Sequence, residues 1–182
     1  MKMLFVLGLM CLCPPPATFP EWQWQELPRR TCRECVIVRG YDPVKNRSRL
    51  WLKLLPIADV PDGKMYLSLT RDMGEGPAGS PTKVCYVGIS VIAKTTLETK
   101  HVEVLILADG DPINLGLAAL GNTLTNGEKK TSSYLSVTDW DSVSKLGPAD
   151  KLELHFGGME IKFDDEHRAA IRDFLAYARG DN

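Results

Sequence analysis

The stretch KLELHFGGMEIKFDDEHRAAIRDFLAYAR, residues 151–179, decides the fold. Gly157 and Gly158 separate two runs of alternating apolar and polar residues. A Gly-Gly pair accepts positive φ at both positions, as a two-residue hairpin turn requires. That turn sets Phe156 opposite Met159, Leu154 opposite Ile161 and Leu152 opposite Phe163, with all six side chains on one face. The other face sets Glu153 against Lys162 and His155 against Glu160. A slip of one residue breaks packing and charge pairing together. Asp164 then reads as a helix N-cap, with Asp165 and Glu166 in the first turn. Ile171, Phe174, Leu175 and Ala178 form one apolar stripe, and Gly180 comes next as a stop. A unit of this size buries too little apolar surface to offset the ordering of its own chain. The hairpin is therefore expected to join a larger sheet, with the helix across one face or end of it.

Upstream, residues 36–137 read as successive strands joined by turns. VIVRGY (36–41), RLWLKLLPI (49–57), KMYLSLTR (64–71), CYVGISVIAKT (85–95) and HVEVLILA (101–108) are rich in β-branched, aromatic and leucine residues. In the second of these, alternation places Leu50, Leu52 and Leu54 on one face and Trp51, Lys53 and Leu55 on the other. INLG (113–116) returns after a turn. Residues 117–124 are ambiguous, because Ala and Leu favour a helical turn that the Gly residues oppose. NGEKKTS (126–132) reads as a surface loop and 133–137 as a short strand. A short helix is expected over 138–146, with Thr138 and Asp141 as a variant capping box. Strands do not alternate with helices, so a parallel α/β fold is not expected. The expected class is mostly β (α+β), an antiparallel sandwich or barrel-like sheet closed off by the C-terminal hairpin and one terminal helix. At 182 residues, 18–182 forms a single domain.

The N-terminus, MKMLFVLGLMCLCPPPATF, carries Lys2 and then about ten apolar residues, the pattern of an export signal over residues 1–17. Pro15 fits poorly at position −3 of a cut after Ala17. A lipid anchor at Cys11 or Cys13 is the alternative, although neither is preceded by the small residue that such sites use. No apolar run reaches the 18 residues of an ordinary membrane span. The expected location is periplasmic or extracellular.

With that segment removed, Cys32, Cys35 and Cys85 remain, and export favours one disulfide among them. Joining Cys32 or Cys35 to Cys85 would close a loop of about 50 residues and contribute about 4 kcal/mol in the chain-entropy model. The spacing alone does not choose the pairing. Cys32-Arg33-Glu34-Cys35 also reads as a thiol-redox pair, with Arg29, Arg30 and Arg33 able to favour a thiolate. It lacks the strand-to-helix setting of thioredoxin-like proteins, and zinc would need two further ligands. A structural disulfide or buried thiols come first, a redox pair second and zinc third.

Other motifs give way to simpler readings. Gly74-Glu75-Gly76-Pro77-Ala78-Gly79 matches GxGxxG, but Pro77, Pro81 and the strand after them deny it the helix that holds a pyrophosphate. Asp109-Gly110-Asp111 after an apolar strand resembles the aspartate pair of haloacid-dehalogenase-type phosphotransferases. That resemblance covers three residues. It would imply a Mg²⁺-dependent phosphohydrolase, or a cation site from Asp109, Asp111 and Asn114. Ile113 and the missing βα framework depart from the pattern, and Asp-Gly between apolar strands is a hairpin signal. His101, His155 and His167 are scattered. Asn46-Arg47-Ser48 is a formal glycosylation sequon. Trp22 and Trp24 alternate with polar residues and are read as two rings buried by one strand, rather than as a sugar- or base-stacking platform.

Net charge is −1 and no half is strongly basic, which argues against nucleic acid as a partner. Neither a cofactor nor a catalytic set is indicated. The reading is an exported, non-catalytic interaction or structural domain for an unknown protein or small ligand. The alternative is a thiol-redox protein using Cys32 and Cys35.

Overall fold

The computed structural model describes residues 22–77, 81–95 and 99–180. The expected export signal, Cys11, Cys13 and Gly79 lie outside the described residues. Ten strands and two helices run in the order β1 (Gln23–Glu26), β2 (Ile37–Asp42), β3 (Arg47–Val60), β4 (Gly63–Glu75), β5 (Val84–Ala93), β6 (His101–Ala108), β7 (Asp111–Asn126), β8 (Lys129–Asp139), α1 (Trp140–Ser144), β9 (Leu152–Phe156), β10 (Met159–Lys162) and α2 (Asp165–Arg179).

The strands form one sheet, ordered β1-β2-β3-β4-β5-β8-β7-β6-β9-β10, and every pairing is antiparallel. The class is therefore mostly antiparallel β with a C-terminal hairpin and helix. The sheet is not closed as a barrel, and among the described residues no second sheet makes a sandwich; β1 and β10 are its two edges. β6, β7 and β8 form successive hairpins, and β5 lies beside β8, a Greek-key arrangement.

The inner face is apolar at every second position. Leu50 and Leu52 of β3, Leu67 and Leu69 of β4, Val87 and Ile89 of β5, and Val104 and Ile106 of β6 are fully or nearly fully buried. α2 fills the space that they face. It leaves β10 at one edge and packs on β3 and β4 towards the other. Its buried face is Ala170, Ile171, Phe174, Leu175 and Ala178. Asp164 caps it through His167 N–H, the His167 ring accepts from Asp164 N–H in return, and Gly180 closes it at φ +88°.

The hairpin register is as the sequence dictates, with Phe156 opposite Met159, Leu154 opposite Ile161 and His155 opposite Glu160. Phe163 N–H donates to the Leu152 carbonyl, which extends the ladder. Elsewhere simple alternation fails. A bulge between Leu52 and Leu55 shifts the register, so Leu55 is buried and Leu54 stands 47% exposed. Residues 117–124 are strand, not helix. β7 pairs with β6 on one side and β8 on the other, and this double ladder overrides the local preference of Ala and Leu. Only Gly127 and Glu128 remain as the turn into β8. α1 is shorter than expected and is capped by Asp139, whose side chain accepts from Ser142 N–H.

Candidate functional site

Residues Arg30 to Glu34 join β1 to β2 and lie against α2. Asp173, 3% exposed, accepts from Arg30 N–H at 3.1 Å, Thr31 N–H at 2.9 Å, Thr31 Oγ1 at 2.6 Å and Cys32 N–H at 3.0 Å. Two helical turns earlier, Glu166 Oε1 accepts from Arg33 N–H and from Glu34 N–H at 2.8 Å. Five successive amides thus converge on two carboxylates of one helix face. Such a concave run of N–H groups is an anion nest, here filled by the chain's own acids. Burial acts to raise the pKa of Asp173. The hydrogen bonds from the Thr31 hydroxyl and from the Cys32, Thr31 and Arg30 amides outweigh it and hold the group below its ordinary value. Tyr177 Oη–H donates to the Pro28 carbonyl at 2.6 Å, and the Arg30 guanidinium lies 4.4 Å from the Tyr177 ring centroid.

Cys32 and Cys35 form a disulfide within this turn. Both are buried, at 2% and 3% exposure. Glu166 Oε1 lies 3.1 Å from Cys32 Sγ. A carboxylate at that distance opposes a thiolate, whereas a redox nucleophile needs cations there. Arg29 donates to the Arg33 carbonyl, and the Arg30 guanidinium rests on Tyr177.

Cys85 is not part of this cluster. It is free, 1% exposed and opposite Arg71 in the β4–β5 ladder. Burial pushes its thiol up to about 11, against the pull of Arg71 and with a further push from Asp139. Burial also lowers the Arg71 pKa. That guanidinium donates to the Ala178 carbonyl in the last turn of α2 and to the Thr82 carbonyl, and stacks 3.7 Å from the Trp140 ring centroid. It is a cation at a helix C-terminus, placed to stabilise it.

The remaining motifs are structural. Asp109, at φ +54°, begins the β6–β7 turn, and its carboxylate accepts from Asp150 N–H and Lys151 N–H. Asn114 donates to Glu103 and accepts from Gly116 N–H. A shallow hollow of about 470 Å³ beside them is lined by Asp111 as well. Among the described residues no three His, Cys, Asp or Glu side chains are grouped to hold a metal ion. Gly74 lies at the end of β4 and Gly76 N–H donates to the Asn46 carbonyl, so the first two glycines of GxGxxG serve a hairpin. His155 Nε2 bonds Glu153 at 2.9 Å, and His167 bridges Asp164 N–H and the Pro56 carbonyl.

The sequence reading of the tryptophans needs correction. The β1 strand is exposed throughout, and Trp24 is 48% exposed. Its ring lies on Gly40, where a Cβ would come within 2.4 Å of Cζ3. Trp22 stacks on it at 5.3 Å and 19°, and Trp51 tilts against it at 5.7 Å. These residues share the outer face of the sheet. A register row there runs Glu26, Val38, Trp51, Thr70, Tyr86 and Val137 across six strands. On the same face Leu135 is 49% and Val137 63% exposed, and Leu117, opposite Glu103 on β6, is 62% exposed. The sequence signal for this surface was available: β5 and β8 carry Val84, Tyr86, Leu135 and Val137 at outward positions that a water-facing strand fills with polar residues. The clip formed by Asp173 and Glu166 on the amides of residues 30–34 was harder to see, because its acids are distant in sequence from the amides that they receive. The one sign was Asp173, an acid among the apolar residues of α2.

Comparison with models of known protein families and with curated proteins finds no match. Among the described residues no helix is long and apolar enough to cross a membrane.

Proposed function

We propose that this chain is an exported, non-catalytic interaction module that works through the outer face of its sheet, in the periplasm or outside the cell. The observation that carries the reading is that face itself. An antiparallel sheet with its core on one side normally shows water a polar second side. Here Trp24, Leu117, Leu135 and Val137 stand about half exposed or more across it, between polar residues such as Thr70 and Glu103, and large apolar side chains displayed together on one face mark interaction sites. A disulfide supports an oxidising compartment, and the leader-like residues 1–17 support export. Asp109, which a sequence motif offered for chemistry, is engaged with two backbone amides.

Two measurements test this. Mass spectrometry of protein from its native host is expected to find residues 1–17 removed; an intact Met1–Cys13 segment in a soluble cytosolic fraction contradicts export. Radical footprinting of Leu135 and Val137 is expected to show protection in the host's envelope or secreted fraction relative to purified protein. Equal labelling in both contradicts the interaction surface.

The alternative, a thiol-redox protein, draws support from the Cys32–Cys35 bridge. Its mark is a low-pKa thiolate after reduction. A reduced pair that alkylates rapidly at pH 6 would favour it over the structural reading.

A further inference from the structure

We infer that the aromatic end of the outer face, on β1 to β5, is a binding platform for an uncharged polysaccharide. The inference rests on the reading of that face as an interaction surface and names its ligand class. Trp24, Trp51 and Tyr86 lie on adjoining register rows, and Trp22 stacks on Trp24. The Trp24 ring leans inward to 5.7 Å from Trp51, and Tyr86 lies two strand spacings beyond Trp51, about 10 Å. The row of rings is long enough for more than one sugar ring.

The rings are held in place rather than loosely displayed. Gly40 lets Trp24 lie on the backbone, and Trp22 and Trp51 brace it from either side. The Arg49 guanidinium sits between Trp22 at 5.3 Å and Tyr86 at 5.8 Å. A preorganised surface loses less entropy on binding.

The polar groups fit a hydroxyl-rich partner. Arg49 is opposite Asp72, and Glu26 and Thr70 fall in the next row. Arg49 donates, Asp72 accepts and Thr70 does either. Charge selects among ligands that stack on rings. Glu26 and Asp72 offset Arg49 in these rows, so they form no basic track for a phosphate chain. A sugar ring presents an apolar C–H face to an aromatic ring and hydroxyls at its rim, and carries no charge.

The test is retention of the purified full chain on microcrystalline cellulose, chitin and an insoluble β-1,3-glucan. Tryptophan fluorescence titration then uses the soluble oligosaccharide of whichever polymer retains it. Expected is retention on at least one, an at least tenfold affinity loss for Trp24→Ala/Trp51→Ala, and an unchanged affinity for Lys129→Glu, at the β7–β8 turn away from the rings. Near-ultraviolet circular dichroism of the core Tyr134 and thermal unfolding check that the variants fold. Gly40→Ala, which displaces Trp24 without removing it, is expected to weaken binding likewise. Three results overturn the inference: no retention on any of the three polymers, retention of the double variant equal to wild type, or sedimentation equilibrium showing a dimer that the double variant disperses. In that last case the face belongs to a second copy. Footprint protection in the host without polysaccharide binding would leave the interaction reading intact and remove only the ligand.

Discussion

Replacing Asp173 with asparagine isolates the electrostatics of the clip from its shape. The aspartate receives three amides and one hydroxyl, from Arg30, Thr31 and Cys32. An asparagine keeps one acceptor oxygen and turns an NH₂ group towards donors. At least two donors then lose their partner, the Cys32 amide buried and those of Arg30 and Thr31 partly so, and at about 1–2 kcal/mol each the expected loss is about 2–4 kcal/mol. Urea unfolding at pH 7 with the disulfide intact measures it. The pH dependence adds a second signature. The folded pKa of Asp173 is depressed, so its contribution is complete above the unfolded value of about 3.9 and is lost as pH falls through the folded value. The difference between wild type and Asp173→Asn should be constant from pH 7 to about 5 and should narrow below about 4. A difference under about 1 kcal/mol at pH 7, or one that persists undiminished at pH 2.5, would refute the account of two carboxylates holding the turn.

The same contacts set four further expectations. Reduction of Cys32–Cys35, or Cys35→Ser, opens a loop of sequence separation 3 and should cost about 2 kcal/mol by the chain-entropy relation, read as a fall in urea midpoint with reductant. Cys85 in the native protein should react with a disulfide reagent at pH 8 about 200-fold more slowly than in urea, since its thiol is held at about 11 against an unfolded value of about 8.5. Asp109→Ala should cost about 1–2 kcal/mol through the freed Asp150 and Lys151 amides, and millimolar Mg²⁺ should leave the melting temperature of the wild type unchanged. Gly40→Ala should red-shift tryptophan emission as Trp24 is pushed off the sheet, with a stability loss of about 1 kcal/mol or less because that ring is already half exposed.

What could be read from the sequence depended on how local the determinant was. The Gly157-Gly158 turn, the hairpin register and both ends of α2 were legible because each is set by residues within one turn of the feature. The strand over 117–124 was not, since its neighbours β6 and β8 impose it from outside. Leu54 and Leu55 exchanged faces because one bulge inverts everything after it, and no residue there announces a bulge. The open sheet replaced the expected sandwich or barrel for a related reason: strand patterning fixes which face is buried but not whether a second sheet or a helix covers it. The CxxC pair was legible as a pair. That Cys85 stays out of it is due to its inward position beside Arg71, which only the register reveals.

The open sheet also explains why the clip exists. Closure would have removed both edges; instead β1 and β10 are left with one neighbour each. β10 is short, carries Glu160 and Lys162 outward, and runs directly into α2, so the packed helix holds it in place. β1 has no such continuity. It is four residues long and exposed along its length, with one ladder to β2. Two anchors hold it, one on each side of the sheet. On the outside, Trp24 lies over Gly40 and leans on Trp51. On the inside, Pro28 and the five amides of residues 30–34 are tied to α2 through Tyr177, Asp173 and Glu166, with the disulfide narrowing the turn between. The helix that plugs the core therefore also fixes the strand that carries the aromatic platform, and α2 reaches that strand only because the sheet was never closed.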